Sequence, residues 1–193
     1  TFEYSPQGRL VTHKHYIPGQ EEVLLTHHTY DNLGQLITKD VGGTDVSSVT
    51  GLQKVNYKYN IRGWLTDINN VDDLSQNGGL FADLFSFKIN YNTVDNSVNG
   101  EVKELFNGNI SETYWRTSND NQLRKYGYKY DALNRLNDAY YQRPGLSDPD
   151  PGNYNEHLKY DKNGNIGTLL RNGEHDDIEA PLEIDNLEYQ YQG

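Results

Sequence analysis

A seven-residue phrase returns five times along this chain, and it limits what the chain can fold into. The copies are Tyr4-Ser5-Pro6-Gln7-Gly8-Arg9-Leu10, Tyr30-Asp31-Asn32-Leu33-Gly34-Gln35-Leu36, Tyr59-Asn60-Ile61-Arg62-Gly63-Trp64-Leu65, Tyr130-Asp131-Ala132-Leu133-Asn134-Arg135-Leu136 and Tyr160-Asp161-Lys162-Asn163-Gly164-Asn165-Ile166. Self-similarity at a spacing of roughly 30 residues marks an array of small units rather than one globular core. The step from Tyr59 to Tyr130 is wider than the rest. It holds a degenerate copy at Leu105-Phe106-Asn107-Gly108-Asn109-Ile110, which lacks the Tyr-Asp pair. A further copy opens at Tyr189 or Tyr191, giving about six to seven repeats over residues 1–193.

Turn chemistry explains the phrase. A type I turn favours Asp, Asn or Ser first, Pro second and Gly fourth. Ser5-Pro6-Gln7-Gly8 meets all three preferences; Asp31 to Gly34, Asn60 to Gly63 and Asp161 to Gly164 meet the first and last. The short acceptor side chain can bond backbone N–H groups within the turn. The glycine takes positive φ and returns the chain through a bulge. Asn134 replaces it once, and Asn tolerates that region best among non-glycine residues. The Tyr therefore ends one strand and the Leu or Ile begins the next. Structural roles fall on Tyr30, Asp31, Gly34, Tyr59, Gly63, Tyr130, Asp131, Tyr160, Asp161 and Gly164.

The flanks agree. Val55 to Tyr59, Tyr126 to Tyr130 and Leu187 to Tyr191 alternate in the manner of a strand with one wet face. Arg9 to Ile17, Gln35 to Asp40 and Arg135 to Gln142 read as return strands. Ser75 to Phe85 is the one stretch open to a short helical turn. The expected class is all-β, built from repeated hairpins.

Composition narrows the function. Sixteen tyrosines and only 34% hydrophobic residues suit a thin sheet with a wet face, since each Tyr buries a ring and keeps a polar tip. A mean hydropathy of −0.89 with net charge −11 would also suit a disordered chain, but regular turn chemistry opposes that. No basic stripe is present, which argues against a nucleic-acid partner. No apolar run has the length of a membrane span. With no cysteine there are no disulfides and no thiolate chemistry. The chain starts without Met and stops within a repeat, so it reads as part of a longer protein.

These residues resemble the Rhs or YD-repeat family, named for the pair at 30–31, 130–131 and 160–161, and the likeness spans the whole chain. The segments Tyr59 to Asn69, Asn107 to Ile110 and Tyr128 to Leu136 look like the form common in Bacteroidetes-type surface proteins. The resemblance implies a spiralling antiparallel sheet that forms a hollow shell around a toxin domain, or, in teneurins, serves adhesion. It implies a structural role in a secreted or surface-exposed bacterial protein, with no enzymatic activity and no cofactor. The partners it implies are the parent's other repeats, an enclosed toxin or effector domain, or a surface protein or glycan. Such shells often end in an Asp-Pro-x-Gly self-cleaving segment. Asp148-Pro149-Asp150-Pro151-Gly152 departs from that pattern by one residue and reads as a Pro/Gly loop.

Other constellations are weaker. His13 and His15 share a strand face, and a turn at Pro18-Gly19-Gln20-Glu21 would bring His27 or His28 alongside; such a cluster could bind zinc, copper or nickel. No matching carboxylate fixes a geometry, so a solvated polar patch is the better expectation. Asp72, Asp73, Asp176 and Asp177 lack the calcium-loop spacing. Trp64 and Trp115 are candidates for a groove or for packing between hairpins. No nucleophile elbow, phosphate loop or dinucleotide fingerprint occurs.

Overall fold

The computed structural model describes residues 1–75, 81–95, 100–146, 152–175 and 178–191. Among these, thirteen strands form one open antiparallel sheet whose order follows the chain. They are β1 (Phe2–Tyr4), β2 (Leu10–His15), β3 (Val23–Tyr30), β4 (Leu36–Val41), β5 (Gln53–Tyr59), β6 (Leu65–Ile68) and β7 (Phe85–Asn90). Then come β8 (Glu112–Thr117), β9 (Arg124–Tyr130), β10 (Leu136–Gln142), β11 (Glu156–Tyr160), β12 (Ile166–His175) and β13 (Ile178–Glu188). The class is all-β, and no α-helix occurs among the described residues. Of the segment considered for a helical turn, residues 76–80 lie outside the described residues, and Phe81 to Leu84 are not helical before β7 opens at Phe85. The expected strand at Leu187 to Tyr191 ends early, at Glu188.

Each phrase builds the same turn. The N–H of Gly34 donates to the Asp31 carbonyl (3.0 Å) and that of Asp31 to the Gln35 carbonyl (2.9 Å). Asp31 Oδ1 accepts from the N–H groups of Leu33 (2.9 Å) and Gln35 (2.8 Å). Asn60, Asp131 and Asp161 repeat both side-chain bonds, and Ser5 Oγ makes longer ones. The fourth position has φ between 62° at Asn134 and 90° at Gly164.

The register then skips one residue. Tyr30 pairs with Leu36 while Thr29 pairs with Thr38, leaving Ile37 as the extra residue of a bulge. The same step follows Tyr4, Tyr59, Tyr130 and Tyr160. A bulge adds one unpaired residue and bends its strand; the turn side chain acts just before it, on the N–H groups of Leu33 and Gln35.

The chain divides into two compact units, 1–88 with 115–121, and 89–114 with 122–193. The first centres on buried Leu24, Thr12, Val71 and Leu74. The second centres on Val102, Tyr114, Ala139 and Tyr141, together with the charged Glu112 and Lys125. Val102 packs flat on β9, where a Cβ added to Gly127 would stand 2.7 Å from Val102 Cγ2.

Two predictions follow from the turns. Gly34 has φ +81°, and an added Cβ would collide with the Arg9 guanidinium. Gly34→Val should therefore cost at least about 1–3 kcal/mol in urea unfolding, whereas His13→Ala should stay within roughly 0.5 kcal/mol. Equal shifts would contradict the turn assignment. The second concerns acid. The Arg135 and Leu133 N–H groups and the Arg135 guanidinium hold the Asp131 carboxyl below the usual range, and the Asn165 amide and turn N–H groups do the same for Asp161. A depressed folded pKa stabilises fully above the unfolded value and is lost as pH falls through the folded one. The double variant Asp131→Asn, Asp161→Asn keeps the acceptor, as Asn60 does naturally. It should lose less stability than the parent between about pH 5 and pH 2; an unchanged acid limb would count against it.

Candidate functional site

Successive repeats are tied together by the phrase tyrosines. Tyr30 Oη donates to the Leu10 carbonyl (2.8 Å) and Tyr59 Oη to the Leu36 carbonyl (2.9 Å). Tyr130 Oη reaches Ile110 (2.9 Å), Tyr160 Oη reaches Leu136 (2.7 Å) and Tyr191 Oη reaches Ile166 (3.0 Å). Each acceptor is the Leu or Ile that leaves the previous turn. This assigns the last copy to Tyr191, and it shows that Ile110 of the degenerate copy still plays the Leu part. The residue after the fourth turn position also bridges: the Arg9 guanidinium lies 5.7 Å from the Tyr30 ring centre and that of Arg135 4.6 Å from Tyr160.

The second unit holds a network that sequence reading missed. Glu112 and Lys125 are 0% and 2% exposed, with Lys125 Nζ 2.6 Å from Glu112 Oε1. Glu112 Oε2 accepts from Asn90 Nδ2 (2.9 Å), the Asp95 N–H (2.8 Å) and Tyr114 Oη (3.2 Å). Lys125 Nζ also donates to the Asp95 carbonyl and sits 5.3 Å from the Tyr114 ring centre. Burial and the Glu112 charge push the Tyr114 hydroxyl far above its ordinary value.

A charged chain runs outward on the same face. Glu101 pairs with Lys129 (2.6 Å), Lys129 with Asp138 (3.6 Å), and Asp138 Oδ1 with His157 Nδ1 (2.6 Å). Cross-strand register aligns Lys129, Asp138, His157, Leu170 and Asn186. Asp138 and His157 open onto a groove of about 530 Å³ that includes Thr168 and Asn186.

The early histidines do not converge. His13 stacks on Phe2 with ring centres 4.1 Å apart. His27 bonds Thr12 Oγ1 through Nδ1 (3.2 Å). His28 donates from Nδ1 to the Leu10 carbonyl (3.1 Å), and its Nε2 accepts from Thr26 Oγ1 (3.1 Å). The turn after His15 does pair β2 with β3, but Thr12 faces His27 and Thr26 faces His13. No group of three or more His, Asp or Glu is placed to hold a metal among the described residues. Asp73 Oδ1 accepts from the Ser75 N–H and hydroxyl. Asp176, Asp177 and residues 148–151 lie outside the described residues. Trp64 and Trp115 are half-buried, with the Arg62 guanidinium 5.1 Å from the Trp64 ring centre.

No protein-family description and no curated protein matches this chain. Among solved structures it is similar to the crystal structure of TcdB2-TccC3 at 11% identity and a TM-score of 0.21, over 92% of this chain and 13% of that one. The fold assignment rests on the strands and turns themselves. The chain spans a small part of that structure's length.

Tyr160→Phe should destabilise the chain by about 1 kcal/mol, because it removes one bond to a backbone acceptor. Tyr16→Phe, at an exposed tyrosine, should change stability by less than about 0.5 kcal/mol. Urea unfolding of both variants checks this, and equal losses would remove the clamp. Glu112→Gln or Lys125→Met alone should cost about 3–5 kcal/mol, since each strands a buried partner. The double variant should cost clearly less than the sum, which a double-mutant cycle measures.

Proposed function

We propose that this chain is a wall segment of an Rhs or YD-repeat scaffold in a secreted or surface-exposed bacterial protein, where it encloses or displays another domain. The observation that carries this reading is the tyrosine-to-carbonyl bond made in the same way by five tyrosines. Each repeat offers the next a ready acceptor, so the array extends by addition of like units. Repeated residues serve the wall, and the mechanism is steric. The partners are further repeats of the parent chain and the domain they surround, such as a toxin.

A second reading, cell-surface adhesion to a protein or glycan, is favoured by apolar turn tips. Leu33 and Ile61 in the first unit, and Phe106 and Leu133 in the second, are all well exposed. Patches of this kind mark contact surfaces when they are contiguous.

Protease protection in the parent protein separates the two. Under the enclosure reading, the carried domain resists digestion in the intact protein and becomes sensitive when Gly34→Val and Gly164→Val disrupt the array. A domain digested equally with and without an intact array would overturn enclosure. Binding to host cells lost on replacing Leu33, Ile61, Phe106 and Leu133 by Ser, with protection unchanged, would support adhesion.

A further inference from the structure

We propose that Lys125 and Asn90 become joined by an intramolecular amide bond, with Glu112 as the proton carrier. The groups come from three neighbouring strands: Asn90 ends β7, Glu112 begins β8 and Lys125 lies in β9. One carboxylate holds both reactants. Lys125 Nζ lies 2.6 Å from Glu112 Oε1, and Asn90 Nδ2 lies 2.9 Å from Glu112 Oε2. All three residues are buried, with Asn90 5% exposed, and the Tyr114 ring covers the amine. A nucleophile and an electrophile fixed in a pocket closed to water react at a high effective concentration.

The steps balance without an oxidant or a co-reactant. Glu112 takes a proton from the Lys125 ammonium, which frees the nitrogen lone pair. The carboxylic acid so formed becomes a donor. Rotation of the Asn90 carboxamide, whose oxygen and nitrogen occupy similar positions, turns its carbonyl oxygen to that donor and polarises it. Nζ then attacks Cγ of Asn90, forming the new C–N bond. The Cγ–Nδ2 bond breaks as Nδ2 takes up protons, and the nitrogen departs as ammonium. An alkylammonium and a carboxamide thus give a secondary amide and ammonium, and Glu112 ends as a carboxylate. Its bonds to the Asp95 N–H and Tyr114 Oη remain available to it.

The link would join β7 to β9 across β8. It would serve as a covalent staple in a chain that has no cysteine. Asp95 is the rival electrophile, since Asn90 Nδ2 also reaches Asp95 Oδ2 at 3.3 Å.

The test is the intact mass of the purified protein after denaturation, with peptide mapping. The expected result is a mass lower than the sequence mass by one ammonia, with a branched peptide joining Lys125 to Asn90. Glu112→Gln and Lys125→Arg should both restore the unlinked mass. A wild-type protein at its full sequence mass, with Lys125 open to an amine-acylating reagent once unfolded, would overturn the proposal. A deficit of one water with the branch at Asp95 would overturn the assignment to Asn90. The wild-type mass decides the matter even where a variant fails to fold.

Discussion

The sheet depends on a single oxygen atom at the first position of each turn. Each turn aims two backbone N–H groups, at its third and fifth positions, at that one oxygen, and a hydrogen bond of this kind is worth about 0.5–1.5 kcal/mol. The side chain of Ser5, Asp31, Asn60, Asp131 or Asp161 reaches both. The requirement is geometric before it is electrostatic, since hydroxyl, amide and carboxylate all meet it. Charge enters where the acid gains cationic or amide company, as Asp131 does from Arg135 at 2.7 Å. The bulge then fixes which residue follows the turn in register. That residue's carbonyl receives the next tyrosine, so an error in one turn would pass to its neighbour.

This dependence explains what could be read from the sequence. The turns are local, and their residues lie within one short window. Asp31 and Gly34 therefore announce both their conformation and their hydrogen bonds. The strands around Val55 to Tyr59 and Tyr126 to Tyr130 are nearly as legible as strands, because alternation sets their period; which face is covered is not, since the buried positions of β9 are Lys125 and Gly127. The end of β13 was misread for the same reason: Leu187 to Tyr191 alternates, but Tyr191 is engaged through its hydroxyl beyond the strand.

The Glu112 network was illegible for a different reason. Lys125 and Lys129 alternate with tyrosines along β9 and look like the solvated side of that strand. Lys129 is indeed partly exposed, whereas Lys125 is sealed. What separates them is the cover: Asp95 and Tyr114 close over Lys125, and Val102 sits on Gly127. Nothing near Lys125 in sequence encodes that cover, since it comes from the irregular segment between two recognisable copies. The histidines erred in the opposite direction. Their spacing suggested convergence, but a register shift between His13 and Lys14 places Thr12 and Thr26 opposite His27 and His13. Threonine hydroxyls and a backbone carbonyl then occupy Nδ1 of His27 and both ring nitrogens of His28.

A sheet that buries only Leu24, Val71, Leu74, Val102, Tyr114, Ala139 and Tyr141 as apolar core among its described residues cannot draw its uniqueness from a thick apolar core. The buried set here is accordingly polar in large part, including Thr12, Asp83, Ser86, Ser111, Glu112 and Lys125. A buried ion pair is weak evidence for net stability, because desolvation offsets much of its attraction. What it does supply is intolerance of misplacement: Glu112 accepts hydrogen bonds from residues 90, 95 and 114 and pairs with the Lys125 ammonium, and a shift of Lys125 strands a charge. Tyrosine hydroxyls act likewise at five repeat boundaries, where an apolar ring alone could slide but a hydroxyl must find its carbonyl. In an array of like units, slippage by one repeat is the nearest competing structure. A slip by a whole repeat would re-form the repeated tyrosine bonds, so what opposes it is the part no other copy shares, the irregular insert pinned by Glu112 and Lys125.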